Sequence, residues 1–127
     1  MERTDLIQAA CAAREQAYCP YSGFAVGAAL LAADGSIYTG CNVENASYSL
    51  GCCAERTSIF KAVSDGKREF AAIAICGAPK GKAPDAPCIP CGACLQVMAE
   101  FCGDDFPIIL TDGAHRLSEF LPKRFIL

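Results

Sequence analysis

The sequence predicts a layered α/β domain built around one mixed sheet, and three observations carry that expectation. Segments with helical spacing of apolar residues alternate with short apolar runs of strand length. An Asp34-Gly35 pair between the first two strand-like runs marks a hairpin, which makes the sheet mixed. At 127 residues the chain suits a single domain, 1–127, and no repeat, low-complexity tract or linker divides it.

The first element runs from Asp5 to about Tyr18. Asp5 is placed to cap a helix, and Leu6, Ile7, Ala10, Cys11, Arg14, Ala17 and Tyr18 form one broad stripe. Cys19 to Gly23 reads as loop. Phe24 to Ala32 is a Val/Leu/Ala-rich strand, and its return covers Ser36 to about Val43. Glu44 to Gly51 has neither period and reads as a functional loop.

Cys53 to about Ser64 reads as the second helix, with Ile59, Phe60 and Val63 inward and Gly66 as its stop. Phe70 to Cys76 is an apolar run of buried-strand length. Gly77 to Pro90 carries four prolines and reads as loop. Pro90 then starts a third helix, Cys91 to Phe101, and Gly103 stops it. Pro107 to Thr111 is a further strand, and Leu117 to Leu121 a last short helix.

Composition narrows the function. The formal charge is −3, with 11 basic and 14 acidic residues, and the basic ones are scattered in small groups. A nucleic-acid binder concentrates basic charge on one face, so a small substrate is favoured over a polynucleotide. No apolar run approaches the roughly 20 residues of a membrane span. The charged start Met1-Glu2-Arg3-Thr4-Asp5 has no export pattern, so a cytoplasmic setting is expected. Ten cysteines are then read mainly as reduced. Cys11, Cys19, Cys41, Cys76 and Cys102 lie in or beside apolar patterns and are expected to act as small buried hydrophobes. The roles of Cys52 and Cys88 are left open.

Two short motifs carry the chemistry. Cys53-Ala54-Glu55 opens the second helix and Pro90-Cys91-Gly92-Ala93-Cys94 the third. Cys91 and Cys94, three apart, share a helix face. Helix starts favour thiolates, the form a zinc ligand takes. Cys53, Cys91 and Cys94 make three ligands, which leaves a fourth tetrahedral position open, as in catalytic zinc sites. Glu55, two residues past a ligand, is placed to move protons to and from water there. Together these two motifs form the signature of zinc deaminases.

The likeness extends past the metal. Phe24-Ala25-Val26-Gly27-Ala28-Ala29-Leu30, Asn42 to Tyr48, Cys53 to Thr57, Cys91 to Cys94, and Leu121-Pro122 with Phe125 occur in order over nearly the whole chain. The sequence thereby resembles the small homotetrameric zinc-dependent cytidine deaminases. The resemblance implies a three-layer α/β/α fold and one Zn2+ per subunit. It also implies hydrolysis of cytidine and 2′-deoxycytidine to uridine and 2′-deoxyuridine plus ammonia, in pyrimidine salvage. Asn42 and Glu44 would then bind the ribose 3′-hydroxyl, Phe24 would pack on the pyrimidine, and the Ala54 N–H would bind its 2-oxo group. Tyr48 and Phe125 would complete a neighbouring subunit's pocket, and Arg56 would hydrogen-bond the zinc thiolates.

Two positions depart from that family's usual pattern, which has Ser and Arg where this chain has Ile89 and Leu95. Loss of a cation at 95 removes a positive charge near the metal, which is expected either to slow catalysis or to put more of the burden on Arg56. The rival readings are a same-fold deaminase of another aminopyrimidine, of the blasticidin-S type, and a non-catalytic zinc-stabilised interaction module with a fourth cysteine closing the site. His115, the sole histidine, sits at an expected turn far from the motifs and is read as structural.

Overall fold

The central strands are near-continuous apolar runs whose successive side chains point to opposite faces, so both faces of one sheet are buried. A computed structural model describes residues 2–127; Met1, part of the charged start read above, lies outside them. The elements are α1 (Arg3–Ala13), β1 (Phe24–Ala32), β2 (Ile37–Cys41), α2 (Ala54–Ser64), β3 (Phe70–Pro79), α3 (Gly92–Phe101), β4 (Pro107–Leu110), β5 (Gly113–Arg116) and α4 (Leu117–Phe120). The sheet order is β2-β1-β3-β4-β5. Only β3 and β4 pair in parallel; the other neighbours are antiparallel. The mixed sheet expected from the sequence is the one observed.

Each face has its own core. Leu6 and Ala10 of α1 pack with Ala29, Ala74, Cys76 and Ile109 on one side. On the other, Ala28, Leu30, Ile73, Ile75 and Ile108 meet Ile59 of α2, Met98 of α3 and Leu117 of α4. Three layers result, with both motif-bearing helices on the same face.

Several boundaries differ from the expectation, for physical reasons. α1 begins two residues earlier, with Glu2 rather than Asp5 before its first turn, and ends at Ala13. A 3-10 turn, Arg14–Gln16, follows, and Tyr18 leaves the helix to pair with the chain at Val43. Tertiary backbone pairing there overrides helical spacing: the Tyr18 N–H donates to Asn42 O at 2.9 Å and the Glu44 N–H to Tyr18 O at 2.9 Å. β3 continues three residues past Cys76, because β1 offers partners as far as Phe24 opposite Pro79. β5 went unread because Gly-Ala-His-Arg has no apolar alternation; the β4 edge makes it a strand. Phe60 is exposed and does not face the core, whereas Ala54, Glu55, Ser58, Ile59 and Ala62 form the buried stripe of α2.

The cysteines also differ in part. Cys11 and Cys76 are joined by a disulfide between α1 and β3, across 65 residues of sequence, and are not independent hydrophobes. A cross-link closing a loop of that size stabilises by about 4 kcal/mol in the chain-entropy view. Cys19 is buried, and Cys41 and Cys102 are half-buried, as small apolar residues would be.

Arg14 is 7% exposed and faces no buried carboxylate among the described residues. Its guanidinium instead donates to three carbonyls, Ala25 O at 3.2 Å, Ala78 O at 3.0 Å and Pro79 O at 3.1 Å. It therefore fastens the start of β1 to the end of β3. Arg14→Ala is expected to lower stability by about 2–4 kcal/mol, since buried acceptors lose charge-assisted donors; urea denaturation measures it, and a loss within experimental error would refute the clamp.

At the other end of the sheet His115 lies 2.8 Å from Asp112 and 3.1 Å from Glu119. The Asp112 hydrogen bond, then that to Glu119, raises its pKa. A raised folded-state pKa gives stabilisation that is fully present below the unfolded value of about 6.5 and is lost as pH rises through the folded value. His115→Asn is thus expected to cost stability at pH 5.5 and little at pH 9; an equal cost at both would show that charge is not involved.

Candidate metal centre and substrate cleft

The two motif helices start side by side because the sheet lets α2 come close. Gly40 of β2 makes that approach possible: a Cβ there would lie 2.7 Å from both Ala54 O and Ser58 N. Cys53 and Cys91 each occupy the residue before the first turn, with extended backbone and no side-chain cap bond, so both sulfurs are free to face another partner. Cys94 follows one turn into α3 and is fully buried.

The three sulfurs converge. Cys53 Sγ lies 3.8 Å from Cys91 Sγ, and Cys91 Sγ lies 3.5 Å from Cys94 Sγ. All three lie within 4.8 Å of one another, and neither Cys52 nor Cys88 joins this cluster. Three thiols at this spacing match the donor set and count of an open tetrahedral zinc site. The electrostatics agree with anionic sulfur. Hydrogen bonding from the Cys94 thiol, with Arg56 beside it, holds Cys53 down at about 5. The same contact pushes Cys94 up, so the cluster holds its first charge at Cys53.

Arg56 Nη2 donates to Cys53 Sγ at 3.4 Å. Its Nε is buried and has no partner among the described residues. A cation held against Cys53 offsets the negative charge that the cluster carries as thiolates.

Glu55 is 4% exposed at the start of α2. Burial, with the Cys53 charge adding, raises its carboxyl to about 7. A carboxyl that gains and loses a proton near neutrality is suited to shuttle one. Ala54 is buried beside it in the first turn, where backbone N–H groups lack intrahelical partners.

A cleft of about 440 Å3 opens on Cys53 and Arg56 and is lined also by Asn42, Glu44, Tyr48 and Cys52. Asn42 and Glu44 brace its wall. Asn42 Oδ1 accepts from the Val26 N–H at 2.9 Å, and its Nδ2 donates to Phe24 O at 2.8 Å. Glu44 accepts from the N–H groups of Tyr21 and Ser22 and from the Ser22 hydroxyl. The Ser22 hydroxyl, then the Ser22 N–H, lowers the Glu44 pKa and keeps it ionised. Each side chain retains spare capacity, an amide hydrogen on Asn42 and lone pairs on Glu44.

Sequence reasoning missed Tyr21 and Ser22 as part of this wall. The Pro20-Tyr21-Ser22-Gly23 turn was the available signal, but it names no partner until Glu44 is brought beside it. Tyr48 is 79% exposed at the cleft, edge-on to Tyr21. Phe125 is 68% exposed and lies elsewhere, its carbonyl accepting from Gln96 on α3. Phe24 does not line this cleft; with Cys88 it lines a separate one of about 330 Å3. Of the two departures noted above, Leu95 packs in the core beside Cys94, where an apolar side chain fits, and Ile89 is exposed.

Residues 1–110 match the family model described as the cytidine and deoxycytidylate deaminase zinc-binding region. The chain belongs to this deaminase family. It is 54% identical over 130 residues to a cytidine deaminase of Halalkalibacterium halodurans, covering 98% of this chain and 95% of that one. It is 56% identical over 112 residues to one of Sporosarcina psychrophila, covering 88% and 79%. The fold matches the crystal structure of a Burkholderia pseudomallei cytidine deaminase with a TM-score of 0.88 at 48% identity, covering 98% of this chain and all of that one. Zinc is accordingly the cofactor of the family to which the Cys53, Cys91 and Cys94 cluster belongs. No helix among the described residues is long and apolar enough to cross a membrane.

Cys53→Ala is expected to abolish stoichiometric zinc, read by elemental analysis of purified protein. Zinc retained at one per chain would remove Cys53 from the ligand set.

Proposed function

We propose that the protein hydrolyses cytidine and 2′-deoxycytidine to uridine and 2′-deoxyuridine with release of ammonia. The observation that carries this reading is the cluster of three cysteine sulfurs with the buried Glu55 carboxyl beside Cys53 and Cys94. High identity to cytidine deaminases over nearly the whole chain supports the choice of substrate.

Cys53, Cys91 and Cys94 would hold the zinc, which when bound supplies Lewis acidity that lowers the pKa of water at its open position. Glu55 would take a proton from an attacking water and deliver it to ring nitrogen 3 as the water oxygen adds to carbon 4. It then relays the second water proton to the departing amine, so one water is consumed and one ammonia is released. Burial of Glu55 serves both halves, because a carboxyl near 7 accepts and returns protons at similar cost. Arg56 steadies the Cys53 sulfur through its Nη2 contact.

Asn42 and Glu44 would meet the ribose 3′-hydroxyl with their spare hydrogen-bonding capacity. The Ala54 N–H would meet the 2-oxo group, and Phe24 the pyrimidine face. Exposed Tyr48 and Phe125 would complete pockets of neighbouring subunits in a homotetramer, each subunit a single domain. The substrate is a small nucleoside in the cytoplasm, with no role for nucleic acid or membrane.

Glu55→Gln is expected to keep zinc and fold while turnover of cytidine, followed by the ultraviolet change, falls by about 10²–10⁴ or more. Turnover within a fewfold of wild type would overturn the role of Glu55. A wild type inert on cytidine but active on another aminopyrimidine would move the substrate and leave the chemistry.

A further inference from the structure

The segment Lys80 to Ile89 between β3 and α3 is exposed apart from Pro84 and Cys88. Cys88, three residues before Cys91, is one of its two half-buried residues. What lies beneath it is Gly77. In register with Val26, and two residues beyond Ile75, Gly77 faces the α2/α3 side of the sheet. A Cβ on Gly77 would lie 2.7 Å from Cys88 Sγ, 3.1 Å from Cys88 Cβ and 3.0 Å from Phe24 Cε2. These separations are below ordinary van der Waals contact, so the thiol and the ring edge share the space a side chain at 77 would take.

No left-handed backbone calls for glycine at 77, since its φ is not positive. The glycine is a matter of room. Burial pushes the Cys88 thiol up to about 11, so it packs there as a small neutral group. The contact joins two parts of the site: the Phe24 ring on β1 and the turn that carries Cys91 and Cys94.

We propose that Gly77 and Cys88 form a complementary pair that sets the position of the Phe24 ring, which makes both of them positioning residues for the substrate base. The inference rests on the reading of Phe24 as the pyrimidine platform. It assigns a function to two residues outside the cysteine cluster. It also makes the length and composition of the 80–89 segment matter for substrate binding through Cys88.

A double-mutant cycle tests it, because the methyl-sized group can be moved from one residue to the other. Gly77→Ala is expected to raise KM for cytidine roughly tenfold with kcat and zinc content little changed, as overpacking displaces the ring. Cys88→Ala alone is expected to change KM by less than about threefold, and Gly77→Ala/Cys88→Ala to recover most of the loss. Cys88→Val, which crowds the same contact from the other side, is expected to raise KM as Gly77→Ala does. A double variant as impaired as the product of the singles, or an unchanged KM in both Gly77→Ala and Cys88→Val, would overturn the pairing. Urea midpoints of the same variants read the contact without substrate. Non-additive midpoints support the pair even if the wild type proves inert on cytidine, an outcome that would sink the substrate reading alone. If Gly77→Ala fails to fold, folding of the double variant supports the pair and its failure contradicts it.

Discussion

Three cysteine sulfurs within 4.8 Å repel one another once they ionise, and much of the fold answers that repulsion. Two helix starts point their unpaired N–H groups and positive dipole ends at the cluster. Arg56 adds a full charge against Cys53. A dication would complete the balance, and a set of three ligands would leave it a position for water. The sheet supplies the scaffold for this: α2 and α3 lie on one face, and Gly40 lets α2 come down onto β2.

The cleft wall is built on a second device, polar side chains that hold backbone. Arg14 gathers the carbonyls of Ala25, Ala78 and Pro79 from beneath the sheet. Asn42 and Glu44 secure the neighbouring backbone from Tyr21 to Val26. Phe24 lies between these fastenings, with Gly77 and Cys88 beside it. Residues expected to grip a ribose thus also shape the wall they stand on, and a substitution at either would perturb both.

The metal motif was legible because its chemistry is local. A helix start, a three-residue spacing and a carboxylate two residues from a ligand are all visible in one dimension. The strand runs and the early hairpin were legible through apolar patterning and turn chemistry. What stayed hidden depends on contacts between distant segments. The Cys11–Cys76 bridge needs α1 laid across β3, β5 exists only because β4 presents an edge, and Tyr18 leaves its helical stripe to pair near Val43. Phe60 was assigned inward by apolarity alone, while the buried stripe of α2 runs through Glu55 and Ser58. A polar residue on a buried stripe breaks the pattern where function requires it.

An open zinc site of three thiolates has a distinct signature in X-ray absorption at the zinc edge of the purified protein. Three sulfur neighbours at about 2.3 Å and one lighter oxygen or nitrogen neighbour at about 2.0 Å are expected. Four sulfurs would mean a closed structural site with a further cysteine bound, and would contradict it.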